Sequence, residues 1–240
     1  MIVDDEEPAR NILREYLASV PGIDVIAECA NGFEAVKALT EQQPDLLFLD
    51  IQMPKLTGFE VLELVDPPPV VIFATAYDRY ALRAFEVHAV DYLLKPFSKE
   101  RLVEAIDCAR ERLRHHRRLP VAEIAAAARG SDARLERILI KDGVRVHVIP
   151  TERVDYVEAQ DDYVAIRSEG KRFLKKQRMT ELERQLDPQR FLRVHRSYIL
   201  NIERIARIEL YAKDSRAAIL KDGTRLPISR SGYEKLKRRL

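Results

Sequence analysis

The spacing of apolar positions divides the chain into two halves with different periods. In the first half, short unbroken runs (Ile2-Val3, Leu46-Leu47-Phe48-Leu49, Val70-Val71-Ile72-Phe73-Ala74 and Val90-Asp91-Tyr92-Leu93-Leu94) alternate with stretches of helical period. Runs that lack polar alternation predict strands covered on both faces, and therefore a parallel α/β sheet with amphipathic helices between the strands. Helical patterning continues through Lys99–Arg118 and gives way to Pro120, then to the Ala-rich stretch Ala125–Arg129 with Gly130-Ser131, which reads as a linker. From Ile138 the period is that of short strands: Ile138–Ile140, Arg145–Ile149, Val154–Val157, Tyr163–Ile166 and Arg172–Leu174, separated by turn signals such as Lys141-Asp142-Gly143 and Glu169-Gly170. A helix is expected over Met179–Leu186, with Thr180 and Glu183 placed to start it. Further strands are expected near Ile205–Tyr211, Ala217–Leu220 and Arg225–Pro227, with Lys221-Asp222-Gly223-Thr224 as a hairpin turn.

Chemically distinctive residues sit at the ends of the first-half runs: Asp4-Asp5, Asp50, Thr75 and Lys95-Pro96. Open α/β sheets bind ligands at the C-terminal ends of their strands. If these ends gather in one crevice, several carboxylates, one hydroxyl and one ammonium surround a single point, which suits a divalent cation and a phosphoryl group. Three ionised carboxylates would repel, raising at least one pKa, unless a cation sits among them. Magnesium prefers such hard oxygen ligands and keeps waters that a phosphate oxygen can replace. A carboxylate can then act as nucleophile toward phosphorus while the metal and Lys95 neutralise the transferred charge, and Thr75 can donate to a phosphate oxygen. Asp50 is the leading nucleophile because it ends the most apolar central strand, and the turn-rich Ile51–Gly58 segment is expected to leave it exposed above the sheet. Taken singly, each residue has a plainer reading: a helix N-cap for Asp4–Pro8, a turn residue for Asp50, loop chemistry for Lys95-Pro96.

Taken together, Val3-Asp4-Asp5-Glu6, Leu49-Asp50-Ile51-Gln52-Met53-Pro54 with Gly58, Ala74-Thr75-Ala76 and Leu94-Lys95-Pro96-Phe97 resemble the receiver domain of two-component response regulators. That resemblance implies a flavodoxin-like, doubly wound, five-stranded parallel sheet. It also implies that Asp50 is the phosphoacceptor and that Asp4, Asp5, Asp50 and the Gln52 backbone carbonyl hold Mg2+. Thr75 and Tyr92 would be the switch pair, Lys95 the phosphate partner, and Lys95-Pro96 a cis peptide. One departure is that only Met1-Ile2-Val3 precede the acidic pair, so the first strand is expected to be short.

Composition extends the picture to the second half. The chain has 240 residues, enough for two domains that each bury a core, and its two cysteines, Cys29 and Cys108, lack metal-ligand or disulfide spacing. No apolar stretch approaches membrane length and no leader pattern is present, so a soluble cytoplasmic protein with no membrane contact is expected. Residues 1–109 carry 9 Lys and Arg against 20 Asp and Glu, whereas residues 134–240 carry 26 against 16, so a basic module follows an acidic one. Such a balance suggests a polyanionic partner.

Phe191–Asn201, Leu226-Pro227-Ile228-Ser229-Arg230 and the closing Tyr233–Leu240 helix resemble the LytTR DNA-binding domain, across about Arg137–Leu240. The family is mostly β and reads successive major grooves with loops. The resemblance implies DNA contacts from Arg196 in the His195–Asn201 segment, from Arg230, and from the Asp161-Asp162-Tyr163 loop. Arg196 and Arg230 suit bidentate bonding to guanine. Arg193, with Lys171, Arg172, Lys175, Lys176 and Arg178, suits phosphate. His195, Ser197 and Asn201 read equally well as a hydrogen-bonded corner that holds strand ends together.

The expected organisation is a receiver over residues 1–115, a linker over 116–134 and a LytTR domain over 135–240. The expected function is that of a response regulator rather than an enzyme. A sensor histidine kinase phosphorylates Asp50, the face around Asp78–Glu86 and Val90–Tyr92 changes, and a homodimer binds specific double-stranded DNA to regulate transcription. Two other classes are considered. A haloacid-dehalogenase-like phosphatase needs a second Asp two residues after the nucleophile, where Gln52 stands. A regulator whose basic domain binds protein or RNA remains the alternative.

Overall fold

A computed structural model describes residues 1–77, 89–114, 134–212 and 215–239. The Asp78–Glu86 face and the Pro120–Ser131 stretch of the expected linker lie outside the described residues. The chain divides into two compact units, the first built from Met1–Asp132 and the second from Ala133–Leu240 apart from the Gly143–Arg145 turn.

In the first unit, β1 (Ile2–Val3), α1 (Glu7–Ala18), β2 (Glu28–Cys29), α2 (Gly32–Gln42), β3 (Leu46–Leu49), α3 (Gly58–Glu63), β4 (Val70–Thr75), β5 (Asp91–Leu94) and α4 (Lys99–Arg114) follow in order. The strands form one parallel sheet in the order β2-β1-β3-β4-β5. Every residue of β3 is buried, as the unbroken run predicts for a strand with helices on both sides. Alternation divides its side chains between the faces. Leu46 and Phe48 join Leu13 and Leu17 of α1 and Leu102 and Ile106 of α4, while Phe73 of β4 stacks on Phe59 of α3 with ring centroids 5.1 Å apart. The first strand is short, as expected, and β2 pairs with it only through Ile2 to Glu28 and Val3 to Cys29. Strand order changes direction between β1 and β3, and open sheets of this order take ligands at that point.

The second unit is mostly β. It contains β6 (Arg137–Asp142), β7 (Arg145–Pro150), β8 (Val154–Gln160), β9 (Tyr163–Ser168), β10 (Lys171–Lys175), α5 (Met179–Gln185), β11 (Phe191–His195), β12 (Tyr198–Asn201), β13 (Ile205–Ala212), β14 (Ser215–Leu220), β15 (Arg225–Ile228) and α6 (Arg230–Lys237). These make a five-stranded sheet β10-β9-β8-β12-β11, a three-stranded sheet β13-β14-β15 and the β6-β7 hairpin. One core joins β6 to β9 with Met179, Leu182 and Leu186 around α5; a second joins β11, β12, β14 and β15 with Leu236 of α6.

Helix α6 starts earlier than the expected Tyr233, while α5 starts at the expected Met179 but without the expected cap. Helix α5 begins at Met179 after an Arg178 N-cap that makes no side-chain cap bond, so Thr180 does not cap it. Glu183 instead accepts from Arg193 at 3.0 Å. Helix α6 begins at Arg230 because Ser229 accepts from the Gly232 amide at 3.0 Å. Gly232 is required there by contact: a Cβ at this position would lie 2.0 Å from the Val194 carbonyl oxygen.

Two outcomes follow. Gly232→Ala should destabilise the second unit by about 3 kcal/mol, the upper range for overpacking, measured by urea denaturation. The Cys29 thiol is 3% exposed and burial pushes its pKa up to about 11, whereas Cys108 is exposed. Because Cys29 stays protonated below that value, native protein at about pH 8 should release one equivalent of thionitrobenzoate quickly and the second only on unfolding.

Candidate functional site

The C-terminal ends of β1, β3, β4 and β5 bring Asp4, Asp5, Asp50, Thr75 and Lys95 into one crevice. Backbone bonds fix the spacing: the Asp50 amide donates to the Val3 carbonyl at 2.8 Å, and the Lys95 amide to the Thr75 carbonyl at 2.8 Å. Lys95 Nζ donates to Asp4 Oδ2 at 2.6 Å and to Asp50 Oδ2 at 3.1 Å. The remaining carboxylate oxygens accept from backbone, Asp4 Oδ1 from the Glu6 amide at 3.0 Å and Asp50 Oδ1 from the Gln52 amide at 3.2 Å. Arg10 donates to the Asp4 carbonyl at 2.8 Å and holds the acidic turn from α1.

Asp50 is not exposed above the sheet as the turn-rich sequence suggested; it is 6% exposed. Gly58 explains the difference. Its amide donates to the Ile51 carbonyl at 2.8 Å, and a Cβ there would sit 2.4 Å from the Asp50 carbonyl oxygen, so the start of α3 closes over the strand end. The Thr57–Glu60 capping box fixes that start.

Burial, more than carboxylate repulsion, raises the Asp4 pKa, and the Lys95 ammonium opposes it. The same two carboxylates hold Lys95 above the usual lysine range despite its own burial. Asp4, Asp5 and Asp50 each offer an oxygen within 4.8 Å of the others, a hard-oxygen donor set that fits Mg2+. Thr75 is fully buried, and its hydroxyl has no partner among the described residues. A buried hydroxyl left unpaired is costly, and at the crevice wall it marks a place for an incoming acceptor. Tyr92 donates its hydroxyl to the Tyr77 carbonyl. Lys95-Pro96 is cis, as is Asp66-Pro67.

In the second unit, the Phe191–Asn201 segment is a hairpin that turns at Arg196-Ser197, which the sequence did not mark as two strands. Arg196 and Arg230 are exposed, as is Tyr163 at 46% beside the left-handed Asp161. His195 is half-buried, accepts from the Ser197 amide at 3.2 Å and packs on Tyr198, whose hydroxyl donates to Glu158 at 3.0 Å. Asn201 corrects the sequence expectation of a DNA contact. It is fully buried, donates to the Val154 carbonyl at 2.9 Å and accepts from the Glu203 amide at 3.1 Å, so its amide serves the strand-end corner. Arg193 is partly buried and bonds within the protein, to Glu183 and to the Arg196 carbonyl.

Comparison with known proteins agrees with both halves. A family model for the response regulator receiver domain matches residues 1–107, and one for the LytTr DNA-binding domain matches residues 144–240. An uncharacterized response regulatory protein of Yersinia pestis is 34% identical over 247 residues, which cover 100% of this chain and 97% of the relative. The sensory transduction protein LytT of Bacillus anthracis is 33% identical over 245 residues, covering 100% and 98%. The transcriptional regulatory protein BtsR of Escherichia coli (strain K12) is 35% identical over 240 residues, covering 99% and 96%. The chain belongs to the response regulators that join a receiver domain to a LytTR DNA-binding domain. Among the described residues, no helix is long and apolar enough to cross a membrane.

The crevice makes a pH-dependent prediction. Lys95→Met leaves Asp4 and Asp50 as unpaired carboxylates and should cost about 3 kcal/mol of stability near neutral pH without magnesium. Asp4 already titrates above its usual range, and loss of the ammonium raises it further. Its folded-state pKa then exceeds its unfolded one, so the deficit shrinks as falling pH neutralises it. Urea denaturation of wild type and variant at about pH 7.5 and about pH 5.5, in chelator, should show the gap narrowing.

Proposed function

We propose that this protein is a phosphorylation-controlled transcription factor: Asp50 accepts a phosphoryl group from a sensor histidine kinase, and the phosphorylated chain dimerises and binds specific double-stranded DNA through its basic domain. The observation that carries the reading is the crevice itself. Lys95 is shared between Asp4 and Asp50, and the Thr75 hydroxyl, without a partner among the described residues, is buried in the same strand-end set.

Asp4, Asp5 and Asp50, with the Gln52 carbonyl, would hold Mg2+, which supplies charge neutralisation for the transferring group and orients its oxygens. An Asp50 carboxylate oxygen attacks phosphorus, forming a P–O bond as the donor's P–N bond breaks. Lys95 is already within reach of both carboxylates and follows the new charge. Asp4 keeps the ammonium at the crevice mouth while Asp50 is modified. Thr75 donates its buried hydroxyl to a phosphoryl oxygen, and that pull on the end of β4 changes the setting of Tyr77, which holds Tyr92. The acyl phosphate carries about two negative charges where the Asp50 carboxylate carried one, and the added charge drives these moves. This chemistry is self-modification, consistent with a regulator rather than an enzyme acting on a separate substrate.

In the basic domain, Arg196 and Arg230 read bases, Tyr163 and His195 also contact the duplex, and Lys171, Arg172, Lys176 and Arg178 meet phosphates. Two domains on one duplex add their affinities through effective concentration.

The test is selection of bound sequences from a random duplex pool followed by anisotropy titration, with and without acetyl phosphate plus Mg2+. Wild type should select paired half-sites and bind them at least tenfold more tightly when phosphorylated, whereas Asp50→Asn should show no response to acetyl phosphate. Arg196→Ala should lower affinity for the selected site by about tenfold, in the range of a lost bidentate base contact, with little change on scrambled duplex. A selective protein whose affinity and dimer population ignore phosphorylation would refute the switch.

A further inference from the structure

Arg193 lies in the middle of the segment that matches a DNA reader, yet its guanidinium is spent inside the protein. One amino group donates to Glu183 Oε2 on α5 at 3.0 Å, and the other to the Arg196 carbonyl at 2.8 Å. The β11-β12 ladder cannot set this turn alone, because its register shifts between Arg193 and His195. Side chains and a helix cap supply the missing restraint. The Ser229 amide and hydroxyl both donate to the Val194 carbonyl at 2.9 Å, and the Ser197 amide donates to His195 Nδ1. The turn is thus held from α6 through Val194 and from α5 through Arg193.

We propose that Glu183 and Arg193 are positioning residues for DNA recognition: their ion pair holds the Arg196 carbonyl and so sets the direction in which the turn presents the Arg196 guanidinium. This role rests on the DNA-binding reading above and names what fixes its central side chain. The pairing needs a planar fork, since two separate N–H groups must meet a carboxylate and a carbonyl in fixed directions; a lysine ammonium supplies the charge without that geometry. Glu183 supports the role by its sign. A carboxylate in a domain that approaches phosphates opposes binding unless it does something else, so simple electrostatics and positioning predict opposite effects of removing it.

The experiment uses the full chain, the duplex selected by wild type and a scrambled duplex of equal length. Glu183→Gln should weaken binding to the selected duplex by about tenfold, as for loss of a charge-assisted bond, while binding to the scrambled duplex stays equal or tightens. Arg193→Lys keeps the charge and should fail in the same way, and the double variant should be no worse than either single one. If Glu183→Gln also lowers the thermal midpoint, Arg193→Lys carries the test, because a phosphate-contacting role would be rescued by lysine. The proposal is overturned if Glu183→Gln binds both duplexes as well as or better than wild type, or if Arg193→Lys keeps the wild-type preference. A wild type that selects no duplex would overturn the DNA reading and this role together; a selective wild type beside an equally selective Glu183→Gln overturns the role alone.

Discussion

The Lys95 ammonium held between the buried Asp4 and Asp50 carboxylates is the interaction on which the first unit's arrangement depends. Two carboxylates at the ends of neighbouring strands are unstable company in a low-dielectric crevice. A cation has to be present in every state, and the chain provides one from β5. That need ties the end of β5 to the ends of β1 and β3 across the sheet, and under the proposed function it is the balance that a phosphoryl group on Asp50 would disturb. A change of charge on Asp50 alters what Lys95 must neutralise, and Lys95 is joined to Thr75 through the backbone.

In the second unit the turn at the end of the β11-β12 hairpin combines an anchored backbone with an exposed Arg196 side chain. Val194 receives the cap of α6, the Arg196 carbonyl receives Arg193, and the Ser197 carbonyl accepts from the Ala159 amide at 2.9 Å. The segment is basic overall, yet several of its polar groups serve the scaffold, and charge alone does not separate the two roles.

The sequence made the strand runs of the first unit legible because burial on both faces leaves an unbroken apolar signature. The chemistry at their ends was legible because it falls at a repeated structural position. What it hid depended on contacts between distant residues. The burial of Asp50 follows from the close approach of Gly58. The scaffold role of Asn201 follows from a bond to Val154, 47 residues away. The Thr180–Glu183 spacing imitated a capping box, but Glu183 is engaged by Arg193, and the helix starts without such a cap. The hairpin within Phe191–Asn201 was obscured because Arg193, His195 and Arg196 break the apolar alternation for reasons of anchoring and presentation.

Under the proposed function, this crevice carries a phosphoryl group on Asp50. The most direct measurement is to treat the protein with acetyl phosphate and Mg2+, trap the acyl phosphate by borohydride reduction, and locate the reduced residue by peptide mass spectrometry. Modification is expected at Asp50 alone, dependent on magnesium and strongly slowed in Lys95→Met. Modification at Asp4 or Asp5, or none under conditions where the protein remains folded, would contradict it.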